Sequence, residues 1–201
     1  MAPHLLILII LRLLLGPPLN VMVDRDHGLP EWYAPGLNAE ALEALHAMQD
    51  GAWEDQVRLA IYSGYRSYAD QVKTLNRAKL RGEGHPEYFL AEPGHSEHQL
   101  GTVFDVVWPG LRVEMTESRN LELYSWLESH AHLYGFVVSY PLKVIADWPY
   151  SNRWLPRLTE FIYEPWHIRY VGVELATRIY EAGYLDPSSP VLPEDFYQPW
   201  P

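Results

Sequence analysis

Cysteine is absent from this chain of 201 residues. Its absence excludes disulfide-bonded scaffolds, zinc sites with cysteine ligands, iron–sulfur clusters and thiol nucleophiles. Any metal ion that the protein binds must therefore be held by histidine, aspartate or glutamate side chains. Nine histidines are available for such a site.

Positive charge is also scarce. The chain has 15 Lys and Arg against 26 Asp and Glu, for a formal net charge of −11, and it contains no run of basic residues. A nucleic-acid-binding protein needs a basic face to displace the counterions of the phosphates. The composition therefore argues against a nucleic-acid partner.

A hydrophobic run long enough to cross a bilayer is the third missing feature. The apolar run of residues 5–15 is interrupted by Arg12 and is shorter than the roughly 20 residues that a membrane-spanning helix needs. Its length suits either the core of a signal peptide or a buried strand or helix at the domain surface. We therefore expect no stable membrane span, and residues 1–20 form a segment separate from the domain.

Apolar residues are plentiful enough for one hydrophobic core. Hydrophobic residues make up 48% of the chain and charged residues 20%, which favours a single folded domain. We place this domain at residues 21–186. Residues 187–201 contain five prolines, and this composition predicts an extended tail outside the core.

Helical and strand patterns alternate along the domain. Helices are predicted from apolar periodicity and capping residues at 39–50, 68–80, 117–132 and 171–182, and strands at 58–62, 102–108, 136–140 and 159–163. The connections into the last two strands are too short for helical crossovers. The sequence therefore predicts an α+β fold with a small, mostly antiparallel sheet flanked by helices.

Chemically reactive side chains concentrate in three segments. These are residues 63–67 (SGYRS), 93–105 (PGHSEHQLGTVFD) and 163–170 (YEPWHIRY). A catalytic zinc site needs three nitrogen or oxygen ligands and one open position. His98 and Asp105 can converge if the chain reverses at Gly101, and His167 can supply a third ligand from a separate segment.

Glu164 lies three residues before His167, with Pro165 between them. Because proline excludes a regular helix at this step, we expect a rigid turn that aims both side chains into one pocket. The carboxylate would then lie beside the attacking water rather than on the metal. There it can accept the proton of the water and pass it to a leaving amine.

Each of these residues also has a structural interpretation. A single histidine is more often a capping or surface residue than a ligand. Asp105 could form a salt bridge inside its apolar strand, since an unpaired buried carboxylate is costly. Glu164 could pair with Arg169, Trp166 could be a core residue, and Arg66 could form a salt bridge at a helix start.

In combination, the three segments resemble the signatures of the D-alanyl-D-alanine carboxypeptidase family related to VanY, the M15B zinc peptidases. The shared patterns are SGYRS at 63–67, S-x-H-x-x-G-x-x-x-D from Ser96 to Asp105, and E-P-W-H-x-R-Y-V-G from Glu164 to Gly172. Residues 23–30 resemble the arm that precedes the domain in that family, and residues 132–136 resemble another of its segments. The similarity extends from residue 21 to residue 182 in the order of the family.

The resemblance implies one zinc ion held by His98, Asp105 and His167, with Glu164 as general base and general acid. It implies that Arg66 stabilises the oxyanion or a substrate carboxylate, to which its planar fork is suited. Peptide-end binding is implied for Ser96 and Gln99, and His95 would position Ser96 or the substrate, or only cap the turn. The implied fold is that of hedgehog and DD-peptidase domains.

The implied substrate is the stem peptide of peptidoglycan, which would place the protein in the periplasm or at the cell wall. The implied reaction is hydrolysis of the terminal D-Ala-D-Ala amide. The same motifs suit an L,D-carboxypeptidase, an L-Ala-D-Glu endopeptidase or a metal-bearing binding module without turnover, as in hedgehog-type relatives. Two histidines and one carboxylate also suit Fe(II) or Mn(II), and the oligomeric state is left open.

Three places depart from the pattern of the family. Ser139 stands where an arginine is usual, which removes one positive charge near the substrate. Residues 146–158 resemble an insertion that could wall the cleft and supply the missing arginine. Residues 102–104 are bulkier than the small residues common before the metal-binding aspartate. The proposed ligands and base are unaltered, so an active enzyme is expected.

Overall fold

The computed structural model describes residues 18–82, 86, 90–113, 117–143 and 161–200. Within these ranges the helices and strands are, in chain order, α1 (Ala39–Glu54), β1 (Ala60–Ser63), α2 (Tyr68–Leu80), β2 (Val103–Val107), α3 (Ser118–His130), β3 (Phe136–Tyr140), β4 (Glu164–Tyr170) and α4 (Val173–Glu181). Short 3-10 helices lie at Glu97–Leu100, Ala131–Tyr134 and Pro193–Phe196. Residues 1–17 of the predicted N-terminal segment (1–20) lie outside the described residues.

The first two helices begin at side chains that cap them. The Asn38 side chain accepts a hydrogen bond from the Ala41 amide at 2.9 Å, and the Ser67 hydroxyl accepts one from the Asp70 amide at 3.2 Å. Each cap satisfies an amide that has no partner within its helix. The predicted starts of both helices are therefore confirmed.

The four strands form one antiparallel sheet in the order β1-β2-β4-β3. This sheet and its flanking helices confirm the predicted α+β class. The strand from the C-terminal part of the domain, β4, is inserted between β2 and β3. Its central position brings Asp105 of β2 directly opposite His167, as Cα partners.

The two faces of the sheet have different roles. Phe104, Val106 and Ile168 are fully buried in the main core cluster, together with apolar residues of α1, α3 and α4. Because side chains alternate along a strand, Asp105 and His167 point away from that core. The fold thus fixes two of the candidate metal ligands on the sheet while leaving their face available for a cleft.

Residues 161–163 correct the prediction of a strand at 159–163. They are irregular, residues 159–160 lie outside the described ranges, and the strand begins only at Glu164. The predicted rigid turn at Pro165 is also wrong, because this residue lies within β4. Strand β4 pairs with β2 only from His167 onward, so Pro165 occupies a stretch where a missing amide is tolerated.

The C-terminal tail is not excluded from the core, contrary to the prediction. Tyr197 is a member of the main core cluster, and Leu192 and Pro193 are buried. The tail also pairs with the N-terminal arm, because Val21 and Gln198 form a parallel bridge. Among the described residues, no helix is both long and apolar enough to cross a membrane.

Candidate active site

All three predicted ligands lie together on the open face of the sheet. His98, Asp105 and His167 each offer a ligand atom, and these atoms all lie within 4.8 Å of one another. Asp105 links the pair, with Oδ2 at 3.3 Å from His98 Nε2 and Oδ1 at 3.2 Å from His167 Nδ1. Two imidazoles and a carboxylate at this spacing can hold a divalent cation.

Gly101 makes the approach of His98 to Asp105 possible, as the sequence predicted. It ends the Glu97–Leu100 helix with a φ of 77°, a conformation that residues with a side chain adopt at a cost. A Cβ atom at this position would lie 2.0 Å from the carbonyl oxygen of Gly36. The chain can therefore reverse between the two ligands only with glycine at this position.

The His98 ring is oriented by the segment that carries Arg66. Its Nδ1 atom lies 2.7 Å from the carbonyl oxygen of Gly64, which can only accept a hydrogen bond. The proton is therefore held on Nδ1, and Nε2 faces Asp105 as a potential ligand atom. The Arg66 amide donates to the His98 carbonyl at 3.2 Å, which joins the two segments a second time.

In the His167 ring the two nitrogens have the opposite roles from those in His98. Nδ1 faces Asp105, while Nε2 lies 3.1 Å from Oε2 of Glu97. The other oxygen of Glu97 accepts a hydrogen bond from Nη1 of Arg169 at 2.5 Å. Arg169 is fully buried and also donates to the carbonyls of Leu19 and Val21.

Glu97 is a site residue that the sequence analysis did not assign. The density of acidic and imidazole groups in residues 93–105 was visible in the sequence, but the partner of Glu97 lies 70 residues away. The suggestion that Arg169 pairs with Glu164 is also corrected, since the guanidinium binds Glu97. Pairing between a short helix and a distant strand has no signature in residue spacing.

Glu164 lies beside the ligands without forming a close contact to them. Its Oε2 atom is 3.8 Å from His167 Nδ1, and the residue is 8% exposed. Three residues of β4 separate Glu164 from Ile168, while one residue of β3 separates their partners, Tyr140 and Val138. This bulge interrupts the strict alternation of faces, so Glu164 and His167 both reach the same cleft.

Burial raises the pKa of Glu164 to about 8, an effect that Asp105 and Glu97 reinforce and that His167 and Arg66 oppose. Asp105 is different: burial disfavours its charged form, but the neighbouring His98 and His167 outweigh this and hold its pKa below the usual range. The site thus contains one carboxyl that readily gains a proton and one that stays ionised. This separation of two carboxyl groups is typical of acid–base sites.

Arg66 supplies positive charge at the cleft wall. The cleft has a volume of about 700 Å³, and its lining includes Arg66, Ser96, Glu164 and the three candidate ligands. The Arg66 guanidinium donates to the Gln71 side chain at 2.9 Å. Gln71 is itself anchored by a hydrogen bond to the Ala91 carbonyl, so Arg66 is held in place by a buried amide.

Two of the predicted substrate-binding residues, Gln99 and His95, do not line the main cleft. The Gln99 amide donates to the carbonyls of Pro30 and Tyr33, both at 2.9 Å, so this buried side chain secures the N-terminal arm. The Nδ1 atom of His95 lies 2.7 Å from the Asp24 carbonyl oxygen. The ring of His95 lines a neighbouring cavity of about 210 Å³. The contacts of Gln99 correct the predicted role of this residue at the peptide end. The role of His95 stays a prediction, and Ser96 lines the main cleft.

Two of the three departures from the family pattern lie within the described residues, and both are buried. Ser139 is 2% exposed within β3, and the bulky Val103 and Phe104 are fully buried. These residues therefore contribute to packing. The suggested insertion at 146–158, and the arginine it could supply, lie outside the described residues.

Comparison with known proteins finds a family whose model matches more than half of the chain. The family model described as "VanY: D-alanyl-D-alanine carboxypeptidase" matches residues 35–173. The putative carboxypeptidase YodJ of Bacillus subtilis (strain 168) is 35% identical over 183 residues, which cover 79% of this chain and 63% of that protein. The chain spans less than two thirds of the length of the first curated relatives it matches.

Solved structures agree with the fold. A mutant of the vancomycin resistance D,D-pentapeptidase VanY, crystallised in complex with Zn(II), is 27% identical and aligns over 88% of this chain and 97% of its own, with a TM-score of 0.67. The LdcB LD-carboxypeptidase is 30% identical and aligns over 84% of this chain and 86% of its own, with a TM-score of 0.65. Both likenesses support the antiparallel sheet and its helices as a peptidase architecture.

Proposed function

The chain belongs to the VanY family of D-alanyl-D-alanine carboxypeptidases, and from this premise we propose that it is a zinc-dependent carboxypeptidase that removes the terminal D-alanine from peptidoglycan stem peptides. The observation that carries the proposal is the convergence of His98, Asp105 and His167 within 4.8 Å of one another. Glu164 beside them adds the group that separates a hydrolase from a simple metal binder.

The donor set fits zinc. Zinc in catalytic sites takes three protein ligands, with nitrogen and carboxylate oxygen among the preferred atoms. His98 would bind through Nε2 and His167 through Nδ1, because the other nitrogen of each ring is engaged by an acceptor. When bound, zinc supplies polarisation of the scissile carbonyl and a lowered pKa for the attacking water.

The side chains of this protein would then complete the reaction. The Glu164 carboxylate accepts a proton from the attacking water and returns it to the nitrogen of the departing D-alanine. Its raised pKa suits both steps, since a group that titrates near neutrality can hold and release a proton. The Arg66 guanidinium, fixed by Gln71, donates hydrogen bonds to the oxyanion or to the terminal carboxylate of the substrate.

An L,D-carboxypeptidase that acts on a tetrapeptide is the second candidate. The LdcB LD-carboxypeptidase is 30% identical to this chain and the VanY mutant is 27% identical, so the solved structures support both candidates. Both activities would use the same metal ligands and base. They differ in the residue that precedes the scissile bond, which the walls of the cleft select.

Defined stem peptides test the proposal. The purified protein would be incubated with a pentapeptide ending in D-Ala-D-Ala and with the corresponding tetrapeptide, in the presence and absence of a chelator. We expect release of D-alanine from the pentapeptide, its loss with chelator and its recovery on addition of zinc. Release from the tetrapeptide alone would establish the second candidate, and release of no product from either would contradict both.

A cell-wall substrate implies action outside the cytoplasmic membrane. The net charge of −11 gives the protein no general attraction to an anionic wall. We therefore infer that recognition depends on the cleft and on Arg66, and not on bulk electrostatics. An Arg66→Ala variant should raise KM or lower kcat even when its zinc content is normal.

A further inference from the structure

We propose that Glu97 is the positioning residue for His167, and that Arg169 holds Glu97 in that role. This inference rests on the zinc site of the proposed function. The juxtaposition that carries it is a buried chain of contacts from Arg169 Nη1 to Glu97 Oε1, and from Glu97 Oε2 to His167 Nε2. Glu97 would not touch substrate or metal, and it would act only through the imidazole.

The proposal follows from the donors and acceptors around the His167 ring. A neutral imidazole has one N–H and one lone pair. Glu97, salt-bridged to a guanidinium, is an acceptor, so its contact requires a proton on Nε2. When a metal ion displaces the second proton of the ring, the lone pair must then lie on Nδ1, the atom that faces Asp105 at 3.2 Å. Glu97 thereby selects the tautomer in which His167 can be a metal ligand.

The surroundings of Glu97 support a fixed geometry. Glu97 is 4% exposed and Arg169 is 0% exposed, so neither side chain can relax into solvent. Arg169 is held in turn by the carbonyls of Leu19 and Val21. The Tyr140 ring packs on His167 with centroids 4.8 Å apart, which restricts rotation of the imidazole.

The other candidate ligand, His98, has a different type of hydrogen-bond acceptor from His167. His98 also donates its distal N–H, but the acceptor is the neutral backbone carbonyl of Gly64. A charged acceptor strengthens the hydrogen bond and makes the ring a more basic ligand. Since the Gly64 carbonyl cannot be removed by substitution and the Glu97 carboxylate can, the two ligands differ in a testable way.

A Glu97→Gln variant tests the proposal through metal affinity. Gln keeps the shape of the side chain and removes its charge. Loss of such an outer partner weakens metal binding by about 10- to 100-fold. We expect a weakening in that range for zinc, measured by competition with a chelating dye, and an altered visible spectrum of the Co(II)-substituted protein.

Glu40→Gln is the matched control. Glu40 accepts a hydrogen bond from Tyr170, on the same strand as His167 but away from the site. This variant should bind zinc as the unmodified protein does. Zinc affinity of Glu97→Gln within twofold of the unmodified protein would overturn the positioning role. An unmodified protein that binds no zinc would instead overturn the proposed function and the inference with it.

A measurement on the unmodified protein decides the matter if Glu97→Gln does not fold. With ¹⁵N-labelled histidine rings in the zinc-loaded protein, we expect His167 to carry its proton on Nε2 and the metal on Nδ1. The Nε2 proton should resonate at low field because a carboxylate accepts it. A His167 ring with the metal on Nε2 would contradict the assignment of Glu97.

Discussion

At the residue scale, the chemistry of the site depends on which buried polar group faces which. Glu97 and Glu164 are both glutamates and both nearly inaccessible. The Arg169 guanidinium and His167 outweigh the cost of burial at Glu97, and its pKa falls to about 2. Glu164 lacks such a close cation, so burial dominates and its pKa rises to about 8. One residue type thus supplies both a carboxylate that stays ionised and a carboxyl that gains a proton near neutral pH.

Substitution of the proposed base separates metal binding from hydrolysis. Glu164→Gln should retain zinc content, because the carboxylate is not one of the three converging donors. Removal of a general acid–base group costs about 10²- to 10⁴-fold in rate, and we expect a fall in D-alanine release of that order. Zinc content and D-alanine release, measured on the same sample, check this prediction.

The quantity to compare between Glu164→Gln and the unmodified protein is the rate of D-alanine release per bound zinc. Full activity per zinc would show that another residue accepts the proton. Glu128→Gln is a suitable control, because Glu128 accepts a hydrogen bond from Tyr163, near Glu164 in the chain, yet does not belong to the cleft lining.

Zinc affinity should increase with pH. Burial lowers the pKa of His167, but hydrogen bonds to Asp105 and Glu97 outweigh it and raise the pKa to about 10. Below that pH the metal-free ring carries a proton on Nδ1, which must leave before a metal can bind there. Affinity should therefore rise roughly tenfold per pH unit for each displaced proton.

Isothermal titration calorimetry in buffers of different ionisation enthalpy measures this proton release directly. We expect about one proton or more per zinc at pH 7. Zinc binding with no proton release, and an affinity that is constant between pH 6 and pH 8, would contradict the protonation state assigned to His167.

At the element scale, the position of β4 decides the geometry of the site. Apolar pattern alone predicted a strand at 159–163, and Pro165 suggested a turn directly after it. The strand instead begins at Glu164, because pairing with β2 and β3 stabilises residues that local preference would leave irregular. The bulge that admits Pro165 also aims Glu164 into the cleft. Neighbouring strands, and not local sequence, therefore determine this element.

The turn between the first two ligands provides a test at this scale. Gly101→Ala should destabilise the protein by more than the roughly 1–2 kcal/mol that a left-handed backbone costs a residue with a side chain. The added Cβ would also meet the Gly36 carbonyl, at 2.0 Å. Relief of that clash must move His98 relative to Asp105, so zinc affinity should fall as well.

Gly183→Ala is the control for backbone strain alone. Gly183 has the same φ of 77°, and no described atom lies within 4 Å of the added Cβ. Denaturant unfolding of both metal-free variants isolates the steric contribution. Equal losses of unfolding free energy, with unchanged zinc affinity, would show that the contact with Gly36 has no effect.

At the scale of the whole molecule, the two ends of the described chain close over the back of the site. The tail places Tyr197 over the Arg169 guanidinium, which lies 4.2 Å from the ring centroid. The N-terminal arm supplies carbonyls to the same guanidinium and pairs with the tail at Val21 and Gln198. The proposed domain at 21–186 therefore depends on residues beyond its predicted end for part of its packing.

Tail removal should lower stability. A chain that ends at residue 186 loses the buried Leu192 and Tyr197, and each such side chain contributes about 1.5–3 kcal/mol through burial. We expect a lower midpoint of thermal unfolding for the truncated chain and for Tyr197→Ala in the full chain. An unchanged midpoint in both would support a domain that is complete at residue 186.

Tyr197→Phe distinguishes packing from hydrogen bonding. The Tyr197 hydroxyl is buried without a hydrogen-bond partner among the described residues, whereas the ring packs in the core. Phenylalanine keeps the ring and removes the unsatisfied group, so stability should be equal or higher. A marked loss of stability in this variant would mean that the hydroxyl is required.

The sequence by itself determined the α+β class, the start of the first two helices and the identity of the converging donors His98, Asp105 and His167. Helix caps and apolar periodicity are local, and the motifs list residue types whose chemistry is known. Only the tertiary structure decided the partners: Glu97 with Arg169, Gln99 with the N-terminal arm, and the tail with the core. The reason is that contacts between distant segments depend on strand order and burial. Neither of these can be predicted from the spacing of residues along the chain.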